Sequence, residues 1–157
     1  MLQLADIRDY IETLDIAENY YVGKLDNKKE KSIGVYQLKT SGENVAMGGI
    51  DNTKTLTKTV SILIHWNKNA KETEFISNRL YIELLKIKEF YINSYKINYI
   101  ELLVPESIDV GTDDNNVYER VIQATFYYSN VDTMEVEQVD EATVEEVDEA
   151  IVATLTS

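Results

Sequence analysis

The sequence has no cysteine, one proline, one histidine and six glycines among its 157 residues. Without cysteine there is neither a disulfide framework nor a thiolate metal site, and a reducing compartment is compatible with that composition. A single histidine, His65, leaves any imidazole-based metal site dependent on carboxylates from distant loops. No apolar run approaches the roughly 20 residues of a membrane-crossing helix, so no membrane partner is expected. The N-terminus lacks the basic stretch followed by an apolar run that marks a signal peptide.

Basic residues are also scarce: 15 Lys and Arg stand against 28 Asp and Glu, for a net charge of −13. The imbalance is local. Residues 131–157 contain nine acidic residues and no Lys or Arg, which leaves the first 130 residues at −4. A body so nearly balanced does not read as a dedicated nucleic-acid binder, and the acidic end would repel nucleic acid. The chain therefore divides into one domain, 1–130, and an acidic C-terminal extension, 131–157. Within the extension VEQVDEA (Val136–Ala142) recurs as VEEVDEA (Val144–Ala150). That composition suits a solvated tail or a segment held by a neighbouring subunit.

Catalytic signatures are missing as well. Gly48-Gly49 is not followed by Gly-Lys-Ser/Thr, Gly23-Lys24 lacks an upstream glycine, and no Gly-x-Ser-x-Gly element occurs. The stretch from Asp109 fails the EF-hand pattern: its glycine is misplaced, and Arg120 stands where a bidentate Glu is needed. No local pattern gives His65 an acid partner or a nucleophile, so it reads as structural or interfacial. The expectation is a protein that is not an enzyme and has no cofactor and no metal.

The strongest positive signal lies between Leu56 and Ile92. In LTKTVSILIHW, Val60, Ile62, Ile64 and Trp66 alternate with Thr59, Ser61, Leu63 and His65, as in a half-buried strand. After a polar joint, Asn69 with Glu72 three residues later resembles a capping box. Ile76, Leu80, Leu84, Ile87 and Tyr91 then recur at helical spacing, which predicts a helix ending at Asn93 and Ser94. Residues 2–15 predict a first helix with the stripe Leu4, Ile7, Ile11 and Leu14.

Asn19–Lys24 and Ser32–Leu38 read as two strands of a hairpin whose tip carries Lys28, Lys29 and Lys31. Lys39–Lys54 is a long loop containing Met47, Gly48, Gly49, Asp51 and Lys54, and loops of that length are usually either functional or disordered. Lys96–Pro105 reads as a fourth strand, and Glu106–Asn116 as an acidic turn with Asp109, Asp113 and Asp114. Val117–Tyr128 is a long last strand whose apolar face (Tyr118, Ile122, Ala124, Phe126, Tyr128) is interrupted by Arg120. The order α-β-β-β-α-β-β predicts an α+β domain with two helices on one face of a mainly antiparallel sheet. Eleven tyrosines, many in these strands, suit half-buried sheet faces or interfaces.

Four stretches, Gly23–Lys39, Met47–Asn52, Leu63–Glu74 and Val104–Tyr128, occur in an order that resembles the phage minor capsid protein family of low-GC Gram-positive phages. Members of that family resemble tail terminator proteins, also called tail completion or head–tail joining proteins. The resemblance covers roughly residues 4–128 and carries no catalytic motif. It implies a homo-oligomeric ring, typically a hexamer, at the head-proximal end of the tail tube in the virion, assembled in the host cytoplasm. Its implied partners are the tail tube protein and the head–tail connector or collar proteins, with DNA passing through the channel unread.

On that reading Lys28, Lys29, Lys31, Met47, Gly48, Gly49, Asp51 and Lys54 are candidate tube or neighbour contacts. Asp109, Asp113 and Asp114 are the candidate complement to the lysines, because a closed ring needs two different patches that meet. A monomeric binding or regulatory module with an acidic tail is the competing reading, and self-association separates the two.

Overall fold

The computed structural model describes residues 1–23, 29–39, 46–50 and 53–130. The expected features at 24–28, 40–45, 51–52 and 131–157, including Lys28, Asp51 and the acidic extension, lie outside the described residues. The elements are α1 (Leu4–Thr13), β1 (Asn19–Val22), β2 (Ser32–Gln37), β3 (Leu56–His65), α2 (Ala70–Leu85), β4 (Phe90–Ile92), β5 (Tyr95–Leu102), β6 (Ile108–Thr112) and β7 (Tyr118–Asn130). This is the expected α+β domain, with two short strands, β4 and β6, added to the expected order.

The strands form one sheet in the order β1-β2-β3-β7-β5-β4, with β6 also paired to β7. All pairings are antiparallel except β1 with β2. The long strand β7 is the spine. It pairs with β3 from Glu119 to Tyr128, and its other edge is shared between β6 and β5.

Alternation along β3 and β7 sets the core. Val60, Ile62 and Ile64 face Ile122, Ala124, Phe126 and Tyr128, all fully or nearly fully buried. These join Ile7 and Ile11 of α1 and Leu80 and Leu84 of α2 in one cluster. Such burial, at about 25 cal/mol per Å² of apolar surface, is the main stabilising term of the fold. Helix α1 touches β1, β2 and also β4, although these strands lie toward opposite ends of the sheet. The sheet therefore curls around α1. Tyr10 stacks on Phe90 at 4.5 Å, Asn93 donates to Asp6, and Tyr95 donates to the Met1 carbonyl.

Three expectations need correction. The helix predicted to reach Asn93 ends at Leu85. Phe90 and Ile92 turn inward while Tyr91 is exposed, the period of a strand, so the helical spacing of Ile87 and Tyr91 is a coincidence. Asn93, at φ 50, makes the tight turn into β5, a left-handed conformation that asparagine tolerates. The predicted hairpin of β1 and β2 is instead a parallel pair, Asn19 beside Ser32 and Val22 beside Val35. Lys31 closes that connection: its carbonyl accepts from Glu18 and Asn19, and its own N–H donates to Trp66 O at 2.7 Å. Finally, the fourth strand stops at Leu102, short of Pro105, and part of the expected acidic turn is strand β6.

Candidate assembly surface

The lysines lie beside one edge of the sheet. Lys31, at φ 56, immediately precedes β2, and its ammonium lies 4.0 Å from Glu18. Both groups are largely solvated, so that pair contributes little. Lys29 is exposed just before it.

The acids lie on the opposite side. Asp109 is on β6 across from Arg120, and its carboxylate accepts from Gly111 N–H at 2.8 Å. Gly111 sits at φ 92 in a bulge of β6, a conformation open to glycine. Asp113 caps the following turn by accepting from Asn115 and Val117 N–H, while Asp114 is exposed.

The glycine turn lies at the other end of β3. Gly48 and Gly49 have φ 99 and 91, and Gly49 N–H donates to Ala46 O. Thr53 braces the turn, accepting from Ala46 N–H and donating to Gly49 O. Met47 is 98 % exposed, and Lys54 is exposed nearby. The structure thus separates the candidates. Lys29, Lys31, Asp109, Asp113 and Asp114 flank the His65 end of the sheet. Met47, Gly48, Gly49 and Lys54 precede its Leu56 end.

Two residues acquire partners that local sequence could not supply. Fully buried His65 places Nδ1 2.9 Å from Glu119 on β7, and Nε2 lies 3.7 Å from Asp113 Oδ2. Neither His65 Nε2 nor Asp113 Oδ2 has a hydrogen-bond partner among the described residues. Pairing of β3 with β7 creates the first contact, and the capped turn lays Asp113 over the ring. Arg120, the interruption in the apolar face of β7, reaches back to the segment before β6. Its Nε donates to Ser107 Oγ at 2.8 Å, a second nitrogen donates to Ser107 O, and a third lies 3.7 Å from Glu74 of α2. The sequence carried a signal for Arg120 alone, its place in a strand pattern where an apolar residue was due; His65 lies on the mixed face of β3.

Tyrosines hold several joints. Tyr20 accepts the N–H groups of Ile16 and Ala17, and Tyr81 donates to Val104 O. Tyr127 packs against Tyr99 and donates to Glu101, which holds its phenol above the usual range. A cavity of about 370 Å³ between α1 and β4 is lined by Asp9, Tyr10, Thr13, Phe90, Tyr91, Ile92 and Asn93. Among the described residues no group of three or more His, Asp or Glu is arranged to hold a metal ion, and no helix is long and apolar enough to cross a membrane.

The fold and its surfaces define a small α+β domain that presents open sheet edges and a glycine turn. The chain matches the family of bacteriophage tail terminator proteins over residues 1–130, and it belongs to that family. It is accordingly a structural protein of the phage tail, as the resemblance implied. No curated protein matches it.

Proposed function

We propose that the chain forms a ring, of six copies, that caps the head-proximal end of the tail tube, stops tube-protein polymerisation and joins the tail to the head connector. Membership of the tail terminator family carries this reading. The basic and acidic candidates on opposite sides of one sheet favour head-to-tail contacts, the kind a closed ring requires. The turn at Met47–Gly49, at the other end of β3, is the surface assigned to the tube. DNA crosses the channel without sequence-specific contact. The ring belongs to the virion tail after assembly in the host cytoplasm. Residues 1–130 are the assembly domain, a division favoured by the limit of the family match, and 131–157 is an extension available to a neighbouring component.

Light scattering at several concentrations, with and without purified tail tube, tests the proposal. A mass near six subunits, alone or on tube ends, is expected. A strict monomer that ignores the tube refutes it.

A further inference from the structure

At its His65 end the sheet is five strands wide, β1-β2-β3-β7-β6, and one row runs Asn19, Ser32, His65, Glu119, Gly111. The outer strands, β1 and β6, are nearly equal in length, at four and five residues. Each has an outer edge that no other strand covers among the described residues. An uncovered edge presents a row of N–H and C=O groups ready to pair with another chain.

Three features say what fits these edges. The first is direction. Because β1 runs parallel to β2 and the other three pairings are antiparallel, β1 and β6 point in opposite directions. Copies rotated about an axis near the strand direction would bring β6 of one against β1 of the next as an antiparallel pair, which needs no crossover. The second is charge. Lys29 and Lys31 lie on the β1 side, just before β2, whereas 106–116, which contain β6, hold four acids and no basic residue. Four strand spacings of about 4.8 Å put the two edges about 19 Å apart along the sheet, so the two edges meet only between copies. The third is exposure. All five residues of β6 are exposed, including Ile108 at 41 % and Val110 at 50 %. Val22 of β1 is exposed at 38 %.

We propose that the edge strand β6 of one copy pairs antiparallel with β1 of a second copy, continuing the sheet from subunit to subunit. This inference rests on the ring reading above and assigns its interface. The bulge at Gly111 and the charge on Asp109 deter indiscriminate edge pairing, and the acidic edge selects the lysine-bearing one. Edge pairing sets the register, and the flanking loops contribute the remaining interface area.

The natural absence of cysteine makes the test specific. Full-length chains carrying Val22→Cys with Ile108→Cys, or Tyr21→Cys with Val110→Cys, are oxidised in solution and on tube ends and run without reductant. Circular dichroism and gel filtration under reductant verify that each variant folds. The proposal expects a ladder of covalent oligomers up to the ring from at least one double variant, while each single variant stays monomeric. Mixing two complementary single variants should give covalent dimers only. Rings seen by scattering with no ladder from either pair would overturn the β1–β6 interface and leave the ring itself intact. Covalent dimers from a single variant would overturn it in favour of a two-fold contact. No species above monomer, with or without tube, would overturn the ring reading and this inference with it.

Discussion

Arg120 makes the sharpest test of how the β6 edge is held. Its side chain is 12 % exposed and is the only link, among the described hydrogen bonds, from the guanidinium face of β7 to Ser107, which is itself buried at 1 %. Arg120→Met keeps most of the stem and removes the donors. Two hydrogen bonds from a charged donor are lost, each contributing about 1.5–3 kcal/mol, and the Ser107 carbonyl is left buried without its partner. The two bonds share one residue at each end and are not additive, so the expected cost is about 3 kcal/mol. That corresponds to a Tm drop on the order of 10 °C for a domain of this size. Glu74 is 59 % exposed, so its ion pair with Arg120 at 3.7 Å is discounted for solvent screening, and Glu74→Gln should cost below about 1 kcal/mol. Urea denaturation gives both numbers, and amide hydrogen exchange locates them. Protection should fall at Ile108–Thr112 well before it falls in β3. A loss below about 1 kcal/mol for Arg120→Met, or one equal to that of Glu74→Gln, would refute the view that Ser107 anchors the edge strand.

Four further outcomes are expected. Ile11→Ala, at a fully buried position where α1 meets the core cluster, should cost about 2–5 kcal/mol in denaturant melts. Asn69→Ala removes the acceptor for Glu72 N–H at the start of α2 and should cost about 1 kcal/mol by the same measurement, whereas Asn69→Asp should be nearly neutral. Gly111→Ala meets no atom within 4 Å, so any loss, on the order of 1–2 kcal/mol, comes from φ 92 alone and should be smaller for Gly111→Asn. Burial, reinforced by the charge of Glu83, pushes the Tyr10 phenol up to about 12. The folded chain thus holds that proton more tightly than the unfolded one, so stability present below pH 10 falls as the pH rises from about 10 through 12. Tyr10→Phe should flatten that decline in thermal melts.

How far the sequence could be read follows from where each signal originates. The alternation in β3 and in β7 was legible because both strands lie inside the sheet with one face in the core, so burial imposes a period of two on their residues. The stripes of α1 and of α2 as far as Leu84 were legible for the same reason at a different period. The cap at Asn69 was legible from Glu72 three residues on, and its side chain does accept Glu72 N–H, yet the matching half is not among the described hydrogen bonds: Glu72 instead accepts from Trp66 Nε1. Strand β6 left no such trace. All five of its residues are exposed, and it is a strand because β7 offers it an edge. The parallel course of β1 is likewise set at a distance, by Lys31 bridging Glu18 and Asn19 to Trp66, and it overrides the local preference of a lysine-rich turn for a hairpin. His65 was unassignable until β3 and β7 were in register, since both of its carboxylates come from more than forty positions along the chain.

What escaped the sequence thus lies mostly at the rim of the sheet: the strands β4 and β6, and the parallel course of β1. Burial writes periodicity into a strand, and a rim strand has little burial within one copy. If the rim is completed by a second copy, its sequence is selected for a neighbour that no single chain contains. A tyrosine- and valine-bearing β1, followed by lysines, and an acidic β6 with three exposed β-branched residues then become two halves of one pattern. Each half reads as loop or hairpin alone, and the alternation expected of a covered strand emerges only when the sheet is continued from one subunit to the next.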